Sequence, residues 1–179
     1  MLLVGDIGNT ETKICLISLN KKIIKKITFS SKNITNGKLK KNFKKLKLKN
    51  LSLEKCLFCS VVPKTFKIIK KYITSYYKTK CFELKDLKIN KLIRIKVNKK
   101  QIGSDRLANA IGSMNNKDNF IILDFGTATT FDVLVKNVYH GGIISPGIQL
   151  SLNTLIANAS LIPNLNLKKI KKVIGLNTV

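Results

Sequence analysis

Tryptophan is absent from the 179 residues, and aromatic side chains make up only 7% of them. A core must therefore be built mainly from Ile, Leu and Val, and the stacking platforms that single-stranded nucleic acid requires are not evident. Arginine occurs twice, at Arg94 and Arg106, although the formal net charge is +25. Direct base readout favours the bidentate arginine fork. An almost all-lysine excess, spread over Lys21 to Lys100 and Lys168 to Lys172, reads instead as a solvated surface with no specific nucleic-acid partner. No apolar run approaches a membrane span. The apolar start Met1-Leu2-Leu3-Val4 is cut off by Asp6 and has no basic flank, so no secretory signal and no membrane partner are expected. His140 is the one histidine and has no evident triad or metal partner. Four cysteines are present, and Cys56-x-x-Cys59 has zinc-type spacing, but no second pair follows; structural thiols in a reducing cytoplasm are expected.

Hydrophobic residues reach 44%, enough for one compact domain or two small lobes. Strands are expected over 2–6, 12–18 and 23–29, as a meander. An amphipathic helix is expected over 38–48 from the spacing of Leu39, Phe43 and Leu46. Cys56 to Val62 suits a central strand, and Pro63 opens a helix with Phe66, Ile69, Ile73 and Tyr76 on one face. A short strand near 80–83 follows, then an irregular basic stretch over 87–102. Ser104 or Asp105 caps a helix over 105–115. The pattern then restarts, with strands over 120–124, 129–135 and 139–144 and a helix over about 150–160. Val4-Gly5-Asp6-Ile7-Gly8-Asn9-Thr10 matches Ile122-Leu123-Asp124-Phe125-Gly126-Thr127-Ala128 at an offset of 118. A short repeat between strands on both occasions suggests two related lobes, 1–117 and 118–179.

Acids are scarce, nine in all, and Asp6, Asp105, Asp124 and Asp132 sit inside glycine-containing motifs. At the first loop, Gly8 allows a close backbone approach, loop N–H groups can donate to phosphate, and Lys13 adds a cation. Asp6 cannot hold phosphate directly and would act through Mg²⁺ or its water. A plain β-hairpin with an Asx-type turn fits the same residues equally well. The second loop, Asp124 to Thr130, puts three hydroxyls beside a glycine turn, and Asp124 could hold a cation. In Gly103-Ser104-Asp105-Arg106, a carboxylate stands next to an anion clamp. Asp105 could accept a hydroxyl proton as a phosphoryl group arrives, or it could simply cap its helix.

Six motifs in this order resemble the type III pantothenate kinase family. They are Asp6 to Lys13, Ser60 to Pro63, Gly103 to Arg106, Asp124 to Thr130, Gly141 to Gly147 and Ile174 to Thr178. The resemblance implies an α/β chain with the duplicated ribonuclease-H-like fold of actin, Hsp70 and the sugar kinases. It implies ATP-dependent phosphorylation of pantothenate in coenzyme A biosynthesis, a monovalent cation (K⁺ or NH₄⁺), Mg²⁺, and a homodimer. Carried over by position, Asp6, Ile7, Gly8, Asn9, Thr10, Glu11, Thr12, Lys13 and Thr127 would contact ATP. Asp105 would take the proton. Lys96, Gly103, Ser104, Asp105, Arg106 and Thr178 would bind pantothenate, and Asp124 would hold the cation.

Two substitutions depart from the family pattern, Lys96 for its Tyr and Lys99 for a Pro, while Ser104 for Ala is a minor change. Members of the family also continue past the Asn-Thr motif, so the second lobe is expected to be truncated and its sheet edge exposed. The alternative expectation is a truncated, non-catalytic homologue that binds nucleotide or a partner protein as an accessory factor; a basic nucleic-acid-binding module ranks below it.

Overall fold

The structure is a computed structural model that describes residues 1–48, 52–115, 117–160 and 163. The chain divides into two compact units, Met1–Ile122 with Asp132–Gly141, and Leu123–Phe131 with Gly142–Val179.

In the first unit, β1 (Leu2–Ile7), β2 (Glu11–Ile17) and β3 (Ile23–Ser30) form an antiparallel meander. β4 (Lys55–Ser60) and β5 (Cys81–Glu83) add in parallel to β1, giving the order β3-β2-β1-β4-β5. Three antiparallel strands followed by two parallel crossovers make the ribonuclease-H-like arrangement. The two-residue period of each strand decides its faces. Leu3, Ile7, Ile14, Leu16, Cys56 and Phe58 lie in one buried cluster with Leu39 and Phe43 of α1 (Asn36–Lys44) and Phe66, Ile69 and Ile73 of α2 (Pro63–Tyr77). The opposite face carries Val4, Asp6, Lys13, Cys15, Leu57 and Cys59.

Thr35 caps α1 by accepting the Lys38 N–H at 3.3 Å. That helix ends earlier than its apolar spacing suggests, at Lys44, and Lys47 turns left-handed at φ 53°. Pro63 opens α2 as expected, but Tyr76 does not share the buried face: it is 61% exposed, while Tyr72 is buried. By the period of about 100° per residue Tyr76 falls between Ile69 and Tyr72, but it sits in the last turn of α2, with its ring centroid 4.6 Å from that of Tyr72. Tyr77 packs against the cluster.

The stretch between β5 and α3 (Ser104–Ser113) holds three short 3-10 turns and the two-residue β6 (Arg94–Ile95). β7 (Phe120–Phe125), β8 (Ala128–Val135) and β9 (Val138–Pro146) follow, with sheet order β6-β9-β8-β7. The β8–β9 turn has positive φ at both central residues, Lys136 and Asn137, as a tight twisted hairpin requires. In the first unit a second buried cluster joins Leu84, Ile89, Ile93, Leu107, Leu134 and Tyr139. In the second unit α4 (Ile148–Asn158) starts directly behind Gly147. Among the described residues no helix is long and apolar enough to cross a membrane.

Candidate active site

β1 delivers Asp6 to the end of the sheet, half-buried, and the chain turns back at once. The Gly8 N–H closes this turn on the Glu11 carbonyl at 3.0 Å, so Asn9 and Thr10 stand exposed at its tip. Lys13 is the register partner of Asp6 on β2, on the same face of the sheet. Ile7 and Thr12 take the other face. Ile7 is in the core, and the Thr12 hydroxyl is fully buried against Ser31 Oγ at 2.8 Å. Of the residues expected to contact ATP, the hairpin therefore gathers Asp6, Asn9, Thr10, Glu11 and Lys13 on accessible surface and turns the Ile7 and Thr12 side chains away.

The end of β4 lies beside Asp6. Cys59 Sγ is 3.6 Å from Asp6 Oδ1 and 3.7 Å from the Gly5 carbonyl. Burial first, and then the charge of Asp6, push the Cys59 thiol well above its ordinary range; Asp105 adds to the effect. The thiol thus lies within electrostatic range of both carboxylates. α3 is pinned to the same strand end by Ser104, which is 1% exposed. Its Oγ accepts the Ser60 N–H at 2.6 Å and donates to the Ser60 carbonyl at 3.1 Å. Asp105 follows in the first turn of α3, where Oδ1 accepts the Arg106 N–H at 2.8 Å. This contact is with the next residue and is not a cap: Gly103 is the N-cap of α3 and no side chain caps the helix, so the cap expected from Ser104 or Asp105 is not formed. A Cβ on Gly103 would overlap the Asp105 carboxylate. A cavity of about 490 Å³ opens along this face, lined by Val4, Asp6, Lys13, Cys59, Ala108 and Ile111 among others.

Arg106 has an inward partner. Its Nε donates to Asp132 Oδ1 and Oδ2 at 2.9 and 3.1 Å, and its Nη2 lies 2.6 Å from Oδ1. The Tyr139 hydroxyl donates to the same carboxylate, which has no exposed surface. Burial alone would lower the guanidinium's proton affinity, but the bond and charge of Asp132 outweigh it and raise it. Burial, with Asp132 behind it, also pushes the Tyr139 phenol up. Sequence reasoning gave Asp132 no role. The available signal was one acid inside the apolar run Phe131 to Val135, where a charge needs a buried cation. Lys96 is exposed, and its backbone N–H donates to the Tyr139 carbonyl at 3.0 Å.

The second unit holds the other loop. Asp124 and Thr127 are both exposed, and the Gly126 N–H turns inward onto the Ala128 carbonyl at 3.0 Å. The Gly147 N–H donates to the Thr127 carbonyl at 3.0 Å. A Cβ on Gly147 would meet the backbone of Gly126 and Thr127, so only glycine lets α4 begin against this loop. Thr178 lies outside the described residues.

Cys56 and Cys59 do not share a face: three residues apart on a strand, they point to opposite sides of the sheet. Cys56 instead faces Cys81 across β4 and β5, both as free thiols.

The model of the type III pantothenate kinase family matches residues 2–179. The chain belongs to that family. A type III pantothenate kinase from Pelagibacter ubique (strain HTCC1062) is 64% identical over 179 residues, covering 100% of this chain and 72% of the relative. Another from Desulforapulum autotrophicum is 34% identical over 187 residues, covering 100% of this chain and 71% of the relative. Among solved structures, the ethanolamine utilization protein EutJ from Carboxydothermus hydrogenoformans aligns with a TM-score of 0.50 at 12% identity. That alignment covers 90% of this chain and 57% of that one, and it speaks for the fold alone. Together with the β3-β2-β1-β4-β5 sheet, it sets this family member in the actin, Hsp70 and sugar-kinase fold class.

Proposed function

We propose that this chain transfers the γ-phosphoryl group of ATP to the alcohol of pantothenate, opening coenzyme A synthesis. The observation that carries this reading is the 64% identity to a type III pantothenate kinase across all 179 residues. In the reaction the alcohol oxygen bonds to the γ-phosphorus, the bond from that phosphorus to the ADP oxygen breaks, and the alcohol proton passes to a base. Asp105 is the proposed base. Its carboxylate is half-buried at the start of α3, within electrostatic range of the same thiol that contacts Asp6. Asn9 to Lys13 and Thr127 are proposed to receive the phosphates, and Gly103 to Arg106 with Lys96 to receive pantothenate. In that assignment Ser104 and the Arg106 guanidinium act through the backbone and ion pair they hold, and Thr12 through Ser31.

Mg²⁺ fits the donors of the first loop. Mg²⁺ keeps several waters and binds through one or two carboxylates plus substrate phosphates. Asp6 supplies one such carboxylate, and among the described residues no cluster of three or more His, Cys, Asp or Glu forms a closed cage. When bound, the ion would neutralise charge on the phosphates. K⁺ or NH₄⁺ fits the oxygen donors at Asp124 in the second unit. A homodimer and a cytoplasmic location complete the proposal. The two-lobe division at 1–117 and 118–179 is proposed on the repeated Asp-x-Gly loops.

The test is an Asp105→Asn variant assayed with ATP and pantothenate. Loss of turnover by about a hundredfold or more, with Mg²⁺–ATP binding retained, is expected for a missing base. Undiminished turnover in that variant would remove Asp105 from the chemistry. Nucleotide binding without turnover in the unmodified protein would favour the accessory-factor reading.

A further inference from the structure

We propose that Cys59 is a positioning residue for the Asp6 carboxylate, and so for Mg²⁺–ATP binding. This rests on the kinase reading above. Three observations point the same way. The Cys59 thiol is placed between two acceptors, the Gly5 carbonyl at 3.7 Å and Asp6 Oδ1 at 3.6 Å, both within the range of an S–H donor. One acceptor is rigid backbone in the middle of the sheet, and the other is the side chain that must be aimed. Cys59 and Asp6 are also register partners on adjacent parallel strands, β4 and β1, so the pair is held by the ladder itself. Finally, Cys59 lines the same cavity as Asp6 and Lys13, so the contact is made where a ligand can reach it.

The chemistry suits a neutral donor. A lysine in this place would neutralise Asp6 and compete with a cation for it. An apolar side chain would leave the carboxylate without this donor. A thiol S–H donates weakly, steers the carboxylate rotamer, and leaves its full negative charge for Mg²⁺. Cys59 thus acts as a donor to Asp6, aimed from the adjacent parallel strand.

The experiment compares Cys59→Ser, Cys59→Val and Cys59→Ala with the unmodified full chain. Mg²⁺–ATP binding is measured by titration calorimetry across a range of Mg²⁺ concentrations, alongside pantothenate KM and thermal unfolding. Loss of one weak donor to a carboxylate predicts about fivefold weaker Mg²⁺–ATP binding in the Val and Ala variants. The Ser variant keeps an O–H donor and should stay within about twofold of the unmodified protein, with pantothenate KM also within about twofold throughout. Equal Mg²⁺–ATP binding in Val, Ala and unmodified protein would overturn the proposal and leave the kinase reading standing. Equal weakening in all three variants, Ser included, would overturn it as well. An unmodified protein that binds no Mg²⁺–ATP at all would overturn both. The Ala variant guards against a folding failure of the bulkier Val.

Discussion

Asp132 has no exposed surface, so its charge depends on Arg106 and the Tyr139 hydroxyl. Removing one member of a buried ion pair leaves the other uncompensated, which typically costs about 3–5 kcal/mol. Asp132→Ala is therefore expected to lower unfolding free energy by about that amount in urea titration, and Tyr139→Phe by only about 1–2 kcal/mol. Near-equal losses would mean that the charge pair contributes little beyond packing. Ser104 makes a second residue-scale case. It stands where the family has Ala, and it ties α3 to β4 through both polar groups of Ser60. Ser104→Ala should cost about 1–3 kcal/mol of stability, read by the same titration. No change would mean that water replaces the hydroxyl at Ser60.

At the scale of elements, both phosphate-loop candidates sit where a strand ends and a glycine turns the chain. In the second unit the turn is also the seat of a helix. Gly147→Ala would press a methyl group onto the Gly126–Thr127 backbone. It is expected to weaken ATP binding several-fold, with little effect on the sheet of the first unit; calorimetry with ATP checks the first part and far-ultraviolet circular dichroism the second. These strand–turn units were legible in the sequence because strand period and glycine placement are local signals. Pro63 marked the start of α2 for the same reason. Tyr76 has the period of the buried face, between Ile69 and Tyr72, and its place in the last turn of α2, which period does not report, leaves it exposed. The Arg106–Asp132 pair was not legible, since 26 residues separate its members and only the packing of α3 on β8 and β9 brings them together. The clustering of Cys59 with Asp6 was hidden for a like reason: it needs the parallel register of β1 and β4, which no local pattern reports.

For the whole molecule, burial sets the alkaline limit of stability. Burial pushes the Cys56 thiol up to about 12, Cys81 up to about 11 and the Tyr72 phenol up to about 12, from ordinary values of 9.0, 9.0 and 10.0. Each group stays neutral in the folded chain while its unfolded counterpart ionises, so the unfolded state gains as pH rises. Stability is expected to be level with respect to these groups below about pH 9 and to fall from there through about pH 12. A urea-midpoint series from pH 8 to pH 11 checks this; a flat series would contradict it. In the second unit, Ile143, Ile144, Ile148 and Leu155 are exposed. Turnover itself is read by a steady-state assay of ADP formation from ATP on adding pantothenate, in K⁺ and in Na⁺ buffers. Pantothenate-dependent ADP and phosphopantothenate are expected in equal amounts, formed faster in K⁺. ATP binding with no pantothenate-dependent ADP in either buffer would overturn the kinase assignment.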